Sequence, residues 1–400
     1  MRAARHILHV APYYAPAWAY GGPPRIAHAL CKELAARGHR VTVLTNDSLG
    51  GERAPARHAQ IDGVAVHYFP NLSNMLKARL NLSTPLGMRR AAMRMLPDAD
   101  IVHCHELRTV ENLLVTPLAE RLRKPLVLTP HGTLPHATGR GALKAAWDRL
   151  FGRGLMRRFA HIAAESEQAI DEVRALRARL GLPPEVDYAI IPNGVDPAEF
   201  EDLPGRDVFR SRWGVPPDAP LVLFLGRLHP RKGIDLLIRA MARADVPEAW
   251  LAVVGPDEGA LAGARALAAD VGLGGRVVFT GLLAGEERLA ALAAADAFAL
   301  PAVGEGMPIA ALEACAAGVP ALLSEGCNLP EVQAAGAGRV LPLDVEAWAA
   351  ALREVAGSSL TDAHARATMR ASARSLVGER FTWAAVVDRL EAYYDAILRE

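Results

Sequence analysis

LVLFLGRLHPRKGI, residues 221–234, reads as one β-strand, one loop and the start of a helix. Leu221–Leu225 is a continuous apolar run of strand length, and Gly226 ends it. The run is apolar on both faces, as a strand covered by helices on both sides must be. The loop then carries Arg227 and Lys232 to the carboxyl end of the strand, where ligands bind in open α/β sheets. A guanidinium can grip a phosphate with two parallel hydrogen bonds, and an ammonium adds a compact charge. His229 and Arg231 of the same loop are expected to be exposed.

The same unit recurs on both sides. Downstream lie Trp250–Val254, Arg276–Thr280 leading into Gly281, Ala297–Leu300, Pro320–Leu323 and Arg339–Leu341. Upstream lie His6–Val10, Arg40–Thr45, Val64–Phe69, Ile101–His105, Leu126–Thr129, His161–Glu165 and Tyr188–Pro192. Helical patterns separate most of them, so the chain reads as two doubly wound α/β domains with parallel sheets. Asn193-Gly194-Val195-Asp196, followed by Pro197, breaks the pattern and divides 1–193 from 194–378. The last helix, Trp383–Leu398, is expected to cross back, so that 379–400 joins the first domain.

A second stretch, GEGMPIAALEACAAG at 304–318, holds two glutamates eight residues apart. Pro308 suits a first helical turn, which leaves Glu305 in the loop and Glu313 on the helix. Gly318 and Pro320 stop that helix. The first-turn amides of Ile309 and Ala310 are unpaired in any such helix and favour an anion. One phosphate cradle between two carboxylates matches hydroxyls, a diphosphate and hydroxyls: the outline of a nucleotide-sugar.

Composition narrows the field. Four hundred residues, 51% of them hydrophobic, can fill two cores. The four cysteines, Cys31, Cys104, Cys315 and Cys327, are far apart and read as reduced, buried thiols of a cytoplasmic protein. MRAARHILHVAPYY has too short an apolar run for a signal peptide, and no run is long enough to span a bilayer. Net charge is +1, yet residues 1–200 hold 26 basic and 18 acidic side chains. That imbalance argues for a basic surface on the first half and against nucleic acid as the partner. Residues 75–96, with Lys77, Arg79, Arg89, Arg90 and Arg94, are helical in pattern. So are 139–159, with Arg140, Lys144, Arg149, Arg153, Arg157 and Arg158. Both segments are candidates for peripheral contact with the inner face of a membrane.

GRLHPRKG followed about seventy residues later by EGMPIAALEACAAGVP resembles the family 4 retaining glycosyltransferases of the GT-B fold. Gly21-Gly22 before a helix, a strand ending in Pro130-His131-Gly132, and PNGVD before the second half extend the resemblance over nearly the whole chain. It implies two facing Rossmann-like domains and a C-terminal crossover helix. It implies sugar transfer from a nucleotide donor, UDP- or GDP-linked, with retention, no cofactor and no metal. The acceptor would be a glycan, a lipid-linked sugar or another hydroxyl, in polysaccharide or envelope synthesis.

Carried over by residue, the resemblance gives Glu313 the donor ribose and Glu305 the sugar hydroxyls, with Gly306 and Met307 beside them. Arg227, Lys232, Gly22 and the Ile309 and Ala310 amides would hold the diphosphate. Gly281, Leu282 and Leu283 would frame the base through their backbone. His131 would meet the donor sugar near its reacting face. Glu305, His131, Arg227 and Lys232 are thus the expected catalytic set. Alanine at 227, 232 or 305 is expected to abolish turnover without unfolding. A nucleotide-sugar epimerase would release free sugar from donor alone, and a non-catalytic partner subunit would have lost these side chains.

Other clusters carry less. Asp98-Ala-Asp100 imitates a metal-binding DxD but precedes a strand. His103 and His105 point to one face of a strand, as core or cleft-lining groups, without the further ligands zinc needs. Ser166-Glu167 has no triad partner by spacing. A dinucleotide fold is disfavoured because the first glycine turn is not GxGxxG.

Overall fold

A computed structural model describes residues 3–50, 52–74, 77, 82–136, 141–356 and 363–399. Arg79 and Arg140 lie outside the described residues. The chain divides into two compact units, Met1–Asn193 with Trp383–Glu400, and Gly194–Thr382.

Among the described residues unit 1 holds eight strands: β1 His6–Val10, β2 Arg40–Asn46, β3 His58–Ile61, β4 Val64–Phe69, β5 Ile101–His105, β6 Leu126–Thr129, β7 His161–Ala164 and β8 Asp187–Ile190. Their order is β3-β4-β2-β1-β5-β6-β7-β8. All are parallel except β3, which pairs antiparallel with β4. That edge strand was not expected. Its signal is Asp62-Gly63, both left-handed at φ 46° and 80°, the two-residue turn that matches strand twist.

β1 is buried on both faces, which explains the apolar Ile7, Leu8 and Val10, with His6 and His9 buried among them. Ile7 joins one core with Leu30, Leu34 and Leu390; Leu8 and Val10 join the other with Val115 and Ile170. The chain leaves β1 toward β2 on one side and β5 lies on the other, so the strand order reverses at this pair.

The helix Trp383–Ile397 belongs to unit 1, burying Val386, Val387, Leu390 and Tyr394. Arg37 Nη1 donates to Glu391 Oε2 at 2.8 Å, and His39 Nε2 lies 2.7 Å from Glu391 Oε1. The return falls at Trp383, four residues later than expected. The preceding helix, Ala363–Arg380, continues through 379, and Val195 N–H donates to Phe381 O at 2.8 Å within unit 2.

Among the described residues unit 2 has six strands: β9 Leu221–Leu225, β10 Trp250–Val254, β11 Val277–Gly281, β12 Ala297–Leu300, β13 Ala321–Ser324 and β14 Gly338–Leu341. The order is β11-β10-β9-β12-β13-β14, entirely parallel. Here the order reverses at β9 and β12. The basic segment at 139–159 is a helix Gly141–Trp147, a wider π turn Asp148–Gly152 and a helical turn Arg153–Met156. Of residues 75–96, Met88–Met95 is a regular helix.

Candidate active site

Unit 2 brings Lys232 and Glu305 together: Lys232 Nζ lies 2.8 Å from Glu305 Oε2. They arrive on the loops that follow β9 and β12, the strands flanking the reversal of order. The loop after β9 is tightly built. Gly233 is left-handed, and a Cβ there would lie 2.0 Å from Pro301 O, so only glycine fits. His229 and Arg231 are half-buried rather than exposed, because both are used. His229 Nδ1 accepts from Arg231 N–H at 3.2 Å, and Arg231 Nη2 donates to Gly304 O at 2.6 Å. Arg231 O also accepts from Val303 N–H at 2.8 Å. Arg231 therefore ties the cation loop to the glutamate loop. Glu305 is held from the other side: its N–H donates to Gly326 O at 2.7 Å, and its carbonyl accepts from Asn328 Nδ2.

The helix after Glu305 is Ile309–Ala316. Pro308 precedes it in extended backbone as the cap, not as its first residue. The Ile309 and Ala310 amides have no acceptor among the described residues. Glu313, on the same helix, meets a partner the sequence reading missed: Arg288 Nη1 lies 2.7 Å from Glu313 Oε1. Arg288 also sits over the Phe200 ring, at 5.8 Å, and Nη2 reaches Glu199 at 3.4 Å. Nothing in the spacing of Arg288, on another helix, could have paired it with Glu313.

Arg227 is not drawn into the Lys232–Glu305 pair. It is 60% exposed, and its Nη1 donates to both Glu258 oxygens at 2.8 Å. Met307 sends its side chain into the core, while Gly306 stays half-buried. Leu283 is also core, Leu282 is exposed, and the Gly281 carbonyl already accepts from Gly255 N–H and the Thr280 hydroxyl, each at 2.8 Å.

In unit 1, Gly21 is left-handed and caps the helix Gly22–Ala36, so Gly22 is its first residue. His131 follows β6 with φ +53°, a left-handed conformation that a non-glycine residue holds only when its surroundings impose it. The imidazole, expected to meet the donor sugar, is enclosed; its side chain is 1% exposed. His131 Nε2 lies 2.9 Å from His105 Nδ1, and His105 Nε2 lies 3.0 Å from His9 Nδ1. His131 Nδ1 lies 3.4 Å from Glu165 Oε1.

Burial lowers His9 to about 3 and pushes His103 and His105 well down. These three rings are therefore neutral, with one N–H each. His131 Nδ1 faces Glu165 without forming a hydrogen bond, and His9 Nε2, at the other end of the row, is likewise buried without a partner.

His9, His103 and His105 bring ring nitrogens within 4.8 Å of one another. The rings stack at interplanar angles of 10–30°, so their in-plane lone pairs run side by side instead of meeting at a point. His103 is further committed to Tyr394 OH at 2.6 Å and Thr129 Oγ1 at 2.7 Å. They form a core stack, and the missing third histidine of the sequence reading is His9. Asp100 accepts from His6 N–H at 2.7 Å and Ser166 caps the helix Glu167–Arg179, so both have structural work.

Two family models match the chain: "Glycosyltransferase Family 4" over residues 20–199 and "Glycosyl transferases group 1" over 205–375. The chain is 30% identical to a D-inositol 3-phosphate glycosyltransferase of Stackebrandtia nassauensis, covering all of this chain and 92% of that one. It is 33% identical to a GDP-mannose-dependent alpha-(1-6)-phosphatidylinositol monomannoside mannosyltransferase of Mycolicibacterium smegmatis, over 68% of this chain and 70% of the relative. Among solved structures, Anabaena HepE in complex with UDP and glucose superposes with a TM-score of 0.72 at 18% identity, over 98% and 100% of the two chains. Two parallel-sheet α/β units, a cation–carboxylate pair at the order reversal of the second, and full-length similarity agree: the chain belongs to the group 1, family 4 glycosyltransferases, with the GT-B fold.

Proposed function

We propose that unit 2 binds a UDP- or GDP-linked sugar and that the sugar passes, with retention and without a metal, to a hydroxyl acceptor bound by unit 1. The observation that carries this reading is the Lys232–Glu305 pair beside a helix start with two unpaired amides. The Ile309 and Ala310 N–H groups and Lys232 would take the diphosphate, and Glu305 would turn to the sugar hydroxyls. Glu313, steadied by Arg288, would take the ribose. As the anomeric C–O bond breaks, negative charge grows on the diphosphate and positive charge on the ring. Donors already in place stabilise that separation, each typically worth ~3 kcal/mol, or ~10²-fold in rate.

Arg227 joins by leaving Glu258. An exposed pair of that kind is worth about 0–1 kcal/mol, so an arriving phosphate can displace the carboxylate. Gly22, Gly306 and the Gly281–Leu283 backbone would complete the donor contacts. His131 acts through its main chain, since its ring is enclosed beside His105.

No helix among the described residues is long and apolar enough to cross a membrane. Peripheral contact is a separate part of the proposal. Leu86 and Met93 are exposed beside Arg89, Arg90 and Arg94; Leu150 and Phe151 are exposed beside Arg149 and Arg153. Absence of flotation with anionic liposomes at low salt would remove it.

A thermal-shift panel of UDP-, GDP- and ADP-sugars tests the donor assignment. At least one should raise the melting temperature, in the presence of a metal chelator as well. If none does, the donor reading is wrong. The anomeric configuration of the transferred sugar, read by NMR, tests retention.

A further inference from the structure

Glu106 is a buried carboxylate that the proposed chemistry leaves unused. It directly follows β5, the strand beside β1 at the reversal of order in unit 1, outside whose carboxyl ends ligands bind in such sheets. Its backbone is left-handed, with φ +57°. Two bonds impose that conformation. Its N–H donates to Thr129 O at 2.9 Å, and its carbonyl accepts from Asn112 Nδ2 at 2.6 Å. Asn112 is fully buried, on the helix Val110–Arg121 that Thr109 caps.

Glu106 is 8% exposed, and its carboxylate has no hydrogen-bond or ion-pair partner among the described residues. Burial raises its pKa; His131, Lys77 and Lys144 pull the other way without touching it. Lys77 lies over the Tyr13 ring at 4.1 Å, and Lys144 donates to Pro135 O at 2.8 Å. Glu111, also buried, adds a second carboxylate to the neighbourhood and accepts from Asn46 Nδ2 at 2.9 Å. The carboxylate is enclosed and unpaired, but its oxygens keep a narrow opening to solvent, through which a ligand can donate to them. Hydroxyl groups supply such donors. A phosphate would meet two acidic neighbours, Glu106 and Glu111.

We infer that the acceptor is gripped in unit 1 through hydroxyls that donate to Glu106, and that the part of it lying there is an uncharged polyol or sugar ring, not a phosphorylated one. This rests on the reading of unit 1 as the acceptor-binding unit.

Saturation-transfer NMR on the full chain tests it with myo-inositol, D-glucose and D-inositol 3-phosphate as probes, on wild type, Glu106→Gln and Glu106→Ala. Wild type should bind at least one neutral probe, and bind D-inositol 3-phosphate no better. Glu106→Gln should weaken the neutral probe about tenfold, the scale of one charge-assisted hydrogen bond. Thermal shifts by the nucleotide-sugar that stabilises wild type should be unchanged. The inference is overturned if neither neutral probe binds wild type, if the phosphorylated probe binds better, or if Glu106→Gln binds as wild type does. Should both variants fail to fold, the wild-type comparison of neutral and phosphorylated probes still decides. Failure of the nucleotide-sugars to shift wild type would sink the donor assignment alone.

Discussion

The Lys232–Glu305 pair can be asked whether it is scaffold or machinery. Their side chains are 16% and 20% exposed, too enclosed for the near-zero worth of a surface ion pair. Lys232→Met leaves the Glu305 carboxylate without its cation and should cost about 2 kcal/mol of stability. Glu305→Gln leaves the ammonium facing an amide and should cost about 1 kcal/mol. In the double variant neither charge remains, so the two costs should fail to add by about 1 kcal/mol or more. Turnover should behave differently. Each single change removes a group that acts only as the donor bond breaks, at about 10²-fold in kcat/KM. Removing both restores neither. Denaturant melts and steady-state rates on the four proteins of this cycle separate the roles. If the double variant recovers activity along with stability, or if Lys232→Met stays within threefold of wild type, the pair is only a strut and the site has been misplaced.

Arg288→Ala should weaken nucleotide-sugar binding about tenfold while leaving the melting temperature of the free protein within a few degrees, since it frees Glu313 from its partner. His105→Phe should cost about 1–3 kcal/mol, because it strands both His131 Nε2 and His9 Nδ1 in the core; imidazole NMR shifts should report the loss of the fixed tautomers. The folded-state pKa values of His9, His103 and His105 are depressed, so the unfolded chain binds more protons below its ordinary value of 6.5. Stability should be fully present above about 6.5 and fall as pH drops below it, toward about 3 for His9, at up to roughly 1.4 kcal/mol per pH unit for each ring still neutral. A melt series in which His9→Asn shows the same slope as wild type would contradict this. Burial raises the pKa of Glu391, but the bonds to His39 and Arg37 outweigh it and lower it overall. Its contribution is therefore present above the ordinary carboxylate value and lost as pH falls through the lowered one. Glu391→Gln should flatten that acid limb.

The sheets were readable because central parallel strands must be apolar on both faces; β9 and β12 carry that pattern undiluted, while β1 and β5 carry it with buried histidines among the apolar residues. What escaped was whatever depends on a partner far along the chain. β3 is a polar edge strand with no core face to betray it, and only Asp62-Gly63 marks it. The Glu305 loop could be read as a loop, but not that Asn328 and Arg231 hold it, one from beyond β13 and one from beyond β9. His131 carries the same lesson with the opposite sign. A histidine after a strand and before Gly132 suggested a contact with the donor sugar, while His105 and Glu165, from two other strand ends, enclose its ring.

Three acidic residues around the candidate site each already own a cation: Glu305 has Lys232, Glu313 has Arg288 and Glu258 has Arg227. These three pairs offset one another, so the surplus positive charge rests on Arg231, whose side chain is bonded to the Gly304 carbonyl and not to a carboxylate. The helix start adds to it, where Ile309 and Ala310 offer N–H groups without acceptors. Recognition is then an exchange. The diphosphate takes the amides and a share of the cations, and each carboxylate released finds hydroxyls at its own end of the donor. A free pyrophosphate completes only half of that exchange and leaves the carboxylates short of partners. It should bind well below the intact nucleotide-sugar, and a pyrophosphate affinity matching the donor's would show that the carboxylates take no part.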